Sequence, residues 1–147
     1  MTTYTGEWLS QQIVEKAADA IIFADEEGII RLWNAGAEAI FGYPAEEASG
    51  QSLDLIVPEN LRKRHWEGYR TVMATGKTKY GTETLAVPAI TKGDNSISIE
   101  FTIVLVTSDS GKPLGTAAVI RDVTARWKKE KELKKRLKEL EEREEKM

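Results

Sequence analysis

Apolar positions along the chain change their period several times, and each change marks an element. Trp8, Leu9, Ile13, Val14 and Ala17 recur at helical spacing, which predicts an amphipathic helix over residues 7–18. Residues 20–24 and 29–33 are two apolar runs joined by Asp25-Glu26-Glu27-Gly28. Two short runs around an acidic turn with Gly near its end predict a hairpin. Asn34 then stands in an N-cap position, where its side-chain oxygen can accept from an orphan amide. Residues 35–41 form a short helix, and Gly42 supplies the left-handed residue that stops it. Pro44 is placed at the first position of the next helix, with Glu46 and Glu47 near the positive end of its dipole.

Short helices continue to residue 55, and Pro58 is expected to begin the longest helix of the globule, running to Thr75 and closed by Gly76. At about 100° per residue, Leu61, His65, Gly68 and Val72 share one face, flanked by Tyr69, while Lys63, Glu67, Arg70 and Ala74 fall opposite. His65, the only histidine, therefore points inward with the apolar stripe. Residues 79–90 read as a strand with Leu85, Val87 and Ala89 on alternate positions; Pro88 cannot donate to a ladder and suits a sheet edge. After a turn at Lys92-Gly93-Asp94-Asn95, Ile97, Ile99, Phe101, Ile103 and Leu105 alternate strictly with Ser98, Glu100 and Thr102. That is the pattern of a half-buried strand. Ser108-Asp109-Ser110-Gly111 turns the chain into a last strand over residues 114–123, whose Gly115, Ala117 and Ala118 leave room beside the sheet. Val104, Val106 and Val119 fall on the opposite face, which needs a cover such as a flanking helix or a second subunit.

From Ala125 onward the composition shifts to Lys, Glu, Arg and Leu, with Thr124 placed as the cap of a long helix. Val123, Leu133, Leu137, Leu140 and Met147 fit the a and d positions of one heptad register, but Arg126, Glu130 and Glu144 occupy the remaining seam positions. Such a stripe is stable only when two copies pair or an effector domain follows, which is the behaviour of a signalling linker. The chain thus divides into an N-terminal flanking helix (1–19), a globule (20–124) and a C-terminal helix (125–147).

The 147 residues suffice for one domain with a modest core. There is no cysteine, which excludes a disulfide framework, a thiolate metal site and a cysteine nucleophile. No apolar stretch reaches bilayer length and the N-terminus is polar, so a cytoplasmic location is expected, with no direct membrane insertion. The net charge of −3 is uneven: residues 126–147 hold ten Lys or Arg against seven Glu, or +3, which leaves −6 for the remainder. An acidic globule with a mixed-charge tail lacks the single-sign basic patch that nucleic-acid binding wants. No phosphate-cradling Gly loop or paired acid–base constellation stands out, and Asp25-Glu26-Glu27 read as solvated turn residues, so catalysis is not expected.

The hairpin, the Asn-capped short helix and the string FGYPAEE together resemble the start of a PAS domain, the small sensory module of signalling proteins. LIVPENLRKRHWEGYRTVMATG and GTAAVIRDVTAR are similar to further parts of that family, the latter to the Asp-x-Thr signature that closes its last strand. The resemblance spans residues 7–124. It implies an α+β fold, with a five-stranded antiparallel sheet, short helices on one face and flanking helices at both ends. It also implies a sensor that relays a change in its core through the exit helix to an effector of kinase, cyclase or chemotaxis type, as a homodimer paired through the flanking helices. The missing cysteine excludes the cysteinyl-flavin chemistry of the family's light-sensing branch.

The stretch around His65 is similar to the proximal segment of haem-binding PAS oxygen sensors, which implies b-type haem with His65 on the iron. Haem needs a neutral imidazole on an apolar wall and room for a flat ring. Gly68 is expected beside it, since Gly inside a helix costs about 1 kcal/mol relative to Ala and should have a packing reason. Tyr69 and Val72 would flank the ring, with Ile103, Leu105 and the small residue Ala117 behind it. The family's gas-contacting Arg aligns with Leu85, which offers no donor; a haem here would therefore favour CO or NO over O₂. The other readings are an imidazole that caps or packs, in a ligand-free dimerisation module, and a core that takes another small ligand. Asp122, expected to pair with Arg31 or Arg121, and Thr124 join the last strand to the exit helix and are the expected relay residues.

Overall fold

The computed structural model of the chain describes residues 3–78 and 84–146. Its centre is an antiparallel sheet of five strands: β1 (Ala20–Asp25), β2 (Ile30–Trp33), β3 (Leu85–Ile90), β4 (Ser96–Thr107) and β5 (Pro113–Asp122). They lie in the order β2-β1-β5-β4-β3, so the first and last strands pair at the middle of the sheet. The helices are α1 (Gly6–Lys16), α2 (Ala35–Phe41), α3 (Ala45–Ala48), α4 (Arg62–Thr75) and α5 (Thr124–Glu145). This is the expected α+β architecture. The part of the first long strand read over residues 79–83 lies outside the described residues.

Directly paired residues share a face, so register decides what faces the core. Ile22 pairs with Trp33 and Ala118, Ala20 with Ile120, and Ile120 with Phe101. These side chains pack with Ile30, Ala37, Phe41 and Ile56 into the core, where Ile30 and Phe41 are wholly inaccessible. The indole of Trp33 is buried there and donates to Tyr43 O at 2.9 Å, so its one polar atom is satisfied. Pro88 sits on β3, at the sheet edge, as its missing N–H requires. At the end of that strand Ile90 N donates to Ile56 O at 3.0 Å, which ties the edge to the helical layer.

Element boundaries follow local chemistry, with corrections. Gly42 and Gly76 close α2 and α4 with φ of 84° and 70°. Pro44 is the residue before α3 and not its first turn, because its extended ψ of 152° precedes the helical residues. Pro58 opens a 3₁₀ turn (Glu59–Leu61), and α4 begins only at Arg62. Val123 does not belong to the exposed seam of the exit helix: it is buried, and its N–H donates to Ser98 O at 2.9 Å. Leu133, Leu137 and Leu140 do remain exposed along α5.

Asn34 does more than cap α2. Its Oδ1 accepts from Ala37 N at 2.9 Å and from Ile21 N at 2.8 Å. Its Nδ2 donates to Val14 O at 2.8 Å, Asp19 O at 3.0 Å and Ala17 O at 3.4 Å. One buried amide thus joins the end of α1, the start of β1 and the start of α2. Asn34→Ala should cost roughly 2–4 kcal/mol in urea denaturation, the loss of a cap plus several buried hydrogen bonds. Asn34→Asp keeps the acceptor but turns a carboxylate towards three carbonyls, so it should recover little of that loss.

Candidate functional site

Helix α4 reaches the rest of the fold through two aromatic side chains. Trp66 Nε1 donates to Asp54 Oδ1 at 2.7 Å, and the indole lies over the β1–β2 turn. A Cβ added at Gly28 would stand 2.1 Å from that ring, and Gly28 already has a φ of 78°. Both facts demand glycine there. Tyr69, buried, donates from its hydroxyl towards Asp25 O at 2.5 Å and Ala24 O at 3.1 Å at the end of β1. Burial, and more weakly the Asp25 charge, push its phenol above the usual 10, against hydrogen bonding with Thr116. At the start of α4, Arg62 Nε donates to Val57 O at 3.0 Å and its Nη2 to Asp54 O at 3.3 Å.

His65 lies between these anchors. Its ring stands edge-on to Trp66, centroids 4.7 Å apart, and 5.9 Å from Tyr69. Its Nδ1 is buried and has no hydrogen-bond partner among the described residues. Burial holds the imidazole below its ordinary pKa of 6.5, with the Asp54 carboxylate opposing. The ring is therefore neutral near pH 7, with one nitrogen kept from water and unused. Asp25 is poised differently: although burial opposes it, donation from Arg31, Ile29 N and Glu27 N holds its carboxyl below the usual range.

The expected wall residues separate by face. Leu85 pairs with Phe101, Ile103 with Ala118 and Leu105 with Thr116; Ala118 and Thr116 in turn pair with the core residues Ile22 and Ala24. Leu85, Ile103 and Leu105 thus lie on the inner face and are half-buried, as is Val72 on α4. Ala117 does not join them. It pairs with Phe23 and Val104 on the outer face, because neighbouring residues of a strand point to opposite sides, and Ala118 takes the inner position. Gly68 is exposed and a Cβ there would meet nothing within 4 Å, so it is not packed beside His65. Trp66, which the helical wheel passed over, and its partner Asp54 complete the surroundings of His65. The signal for them was an indole one position from the histidine, together with a turn glycine that needs a flat neighbour.

At the far end of β5, Asp122 does not pair with either arginine. Arg31 binds Asp25 at 2.9 Å and Arg121 binds Asp19 at 3.3 Å. Asp122 Oδ1 instead accepts from Thr124 N at 2.9 Å and from Thr124 Oγ1 at 2.5 Å. Thr124 is the first residue of α5 and not its cap, and its Oγ1 accepts from Ser98 N at 2.9 Å. Asp122, Thr124 and Ser98 thus couple β5, α5 and β4 at one corner. Two open concavities among the described residues lie along α5 and at this corner, lined there by Asp122, Thr124, Ala125 and Lys128. Neither lies between α4 and the sheet. Among the described residues no group of three or more His, Cys, Asp or Glu is placed to hold a metal ion.

An α+β module built on a five-stranded antiparallel sheet is what this strand order and helical layer define. The chain belongs to the PAS-fold family, whose model matches residues 14–128. It is 29% identical over 119 residues to the signal transduction histidine-protein kinase AtoS of Escherichia coli, covering 80% of this chain and 18% of that protein. It is 35% identical over 85 residues to the sensor protein FixL of Bradyrhizobium diazoefficiens, covering 49% of this chain and 17% of that protein. The chain therefore spans under a fifth of the length of these two relatives. A PAS domain of a Colwellia psychrerythraea protein superposes with a TM-score of 0.71 at 22% identity, covering 81% of this chain and 98% of that one, a likeness of fold. No described helix is long and apolar enough to cross a membrane.

Two predictions follow from the surroundings of α4. The unfolded chain protonates His65 at about its ordinary 6.5, while the folded chain resists to lower pH. Below pH 6.5 the unfolded state therefore binds more protons, and the stability held in full above that value declines until the folded pKa is passed. Urea melts at about pH 7.5 and about pH 5.5 should show wild type losing more than His65→Gln, which lacks the titrating ring. Gly68→Ala, in open space on a helix, should raise stability by about 0.5–1 kcal/mol in the same assay.

Proposed function

We propose that this chain is a sensor and relay module that takes a small ligand between α4 and the inner face of β3–β5, with b-type haem through His65 as the leading candidate. The observation that carries the reading is the half-buried, neutral His65, whose Nδ1 is buried and unused. Haem would bring most of its iron's ligands with it, so the one imidazole of His65 would suffice to hold it without a protein-built metal cluster. Leu85, Ile103, Leu105 and Val72 supply apolar surface around it, and none of them offers a donor to a bound gas, which favours CO or NO over O₂. Haem, when bound, would supply the gas-binding iron; the protein's part is to present the imidazole and exclude water.

The relay runs along β5, which touches the inner wall through Thr116 and Ala118 and passes straight into α5 at Asp122 and Thr124. Displacement of the wall would alter the corner bonds and hence the exit of α5, the two-state element that such coupling requires. The module works as a cytoplasmic homodimer paired through α1 and α5, attached to an effector of kinase, cyclase or chemotaxis type in a longer parent protein. The sizes of AtoS and FixL support the last point. The alternative is a ligand-free dimerisation module. It is favoured by the aromatic contacts of His65 with Trp66 and Tyr69, which pack the imidazole without a ligand.

Haem titration into purified protein decides between them. The haem reading expects a Soret band with saturable uptake in wild type and at least about tenfold weaker uptake in His65→Ala. A wild-type chain that takes up no haem sinks this reading and leaves the ligand-free module.

A further inference from the structure

A closed set of bonds surrounds Trp66 near the start of α4. Ile29 bridges to Ser52, and Leu53 N donates to Gly28 O at 3.0 Å, so the 3₁₀ turn Leu53–Leu55 is stitched to the tip of the β1–β2 hairpin. Within that turn Asp54 N donates to Ser52 Oγ at 3.1 Å, which fixes the residue that carries the carboxylate. Asp54 Oδ1 accepts from Trp66 Nε1 at 2.7 Å, and the indole lies over Gly28, where any Cβ would collide with it. Arg62 adds a further tie, from its Nη2 to Asp54 O at 3.3 Å, with its Nε 3.9 Å from Asp54 Oδ1. The indole is thus held at its polar edge by a charge-assisted bond and at its ring by a glycine made to receive it.

His65, one residue earlier, has nothing comparable. Its Nδ1 bonds nothing among the described residues, and its ring contacts are Trp66, edge-on at 4.7 Å, and Tyr69, tilted at 5.9 Å. An imidazole that takes a ligand is ordinarily aimed by a hydrogen bond from its other ring nitrogen. Packing has to aim this one. Tyr69 is the more distant ring, and its hydroxyl is engaged with the end of β1. The contact with Trp66 is not given by the helix, whose successive side chains diverge by about 100° and do not face each other. It exists because Asp54 draws the indole to the side on which the imidazole stands. Without that indole the imidazole has an open flank and can turn to another rotamer.

We infer that Trp66, pinned by Asp54, is the positioning residue that holds the His65 imidazole in the orientation a ligand meets. This rests on the ligand reading above and names what prepares its histidine. Haem titration of the full chain tests it, with thermal melts to establish that each variant is folded. Trp66→Phe keeps an aromatic ring over Gly28 without the N–H, and Asp54→Leu removes the acceptor. Each should weaken haem uptake at least about tenfold, and the double variant should be no weaker than either single one, because the two act as a unit. Asp54→Asn still offers the indole an acceptor and should rescue uptake to within about threefold of wild type. Equal uptake by wild type and folded Trp66→Phe overturns the inference. So does an Asp54→Asn as weak as Asp54→Leu, which means that the charge and not the bond is used. His65 is the only histidine, so a single imidazole resonance reports on it in the ligand-free chain. In Trp66→Phe that ring should titrate nearer to 6.5 than in wild type, since it loses shelter and Asp54 is freed from the indole. A wild type that takes up no haem ends the haem reading, and the resonance then decides on Trp66 alone: an unchanged titration in the folded variant overturns the inference.

Discussion

The side-chain amide of Asn34 is the junction on which the rest of the arrangement depends. A buried amide is costly unless both ends are used, and here the oxygen takes two main-chain donors while the nitrogen serves three carbonyls. Three chain directions are fixed by one group: the departure of α1, the entry of β1 and the start of α2. Gly36 allows the close approach this needs, since a Cβ there would lie 2.2 Å from Asp19 O. With β1 so placed, β5 pairs beside it over residues 115–120, and the first and last strands become the centre of the sheet.

Helix α4 is held in a different way. Tyr69 fastens it to the β1–β2 hairpin through bonds to Ala24 O and Asp25 O, while Trp66 lies over Gly28 and bonds Asp54 in the turn that follows α3. Between those anchors His65 presents a nitrogen that gains nothing from the fold. Leaving a buried polar atom unpaired costs about 1–3 kcal/mol, so a site with an unused nitrogen stores an incentive to bind. On the outward side of α4, Gly68 and Arg70 are exposed. The helix is thus anchored on one side and free to adjust on the other.

The two faces of the sheet separate the tasks. The inner face carries Leu85, Ile103 and Leu105 towards α4, and the outer face carries Phe23, Val104 and Val119 away from it. β5 contributes to both, and its last residues set the start of α5 through the Asp122–Thr124–Ser98 corner. That corner is built of short polar contacts, whose geometry changes sharply with small displacements.

Periodicity and turn chemistry were enough to determine the elements: the Asp25–Gly28 hairpin, the Asn34 cap, the Gly42 and Gly76 stops, the edge Pro88 and the alternation of β4 all stand where their local rules put them. Those rules act over a few residues, so they are legible in the chain itself. The family strings then implied a five-stranded antiparallel sheet, and the structure supplied its strand order. What only the tertiary structure decided were matters of partnership. Ala117 faces outward because pairing with Phe23 and Val104 sets its side, and a shift of one residue reverses a strand's face. Gly68 is exposed because α4 leans on Trp66 and Tyr69, which rotates the helix away from the centre of its apolar stripe. Asp122 serves Thr124 because Asp25 and Asp19 lie nearer to Arg31 and Arg121. Asn34, legible as a cap, became a junction because its nitrogen meets carbonyls up to twenty residues away in the chain. Such contacts depend on which surfaces the folded sheet brings together, and local sequence does not carry that information.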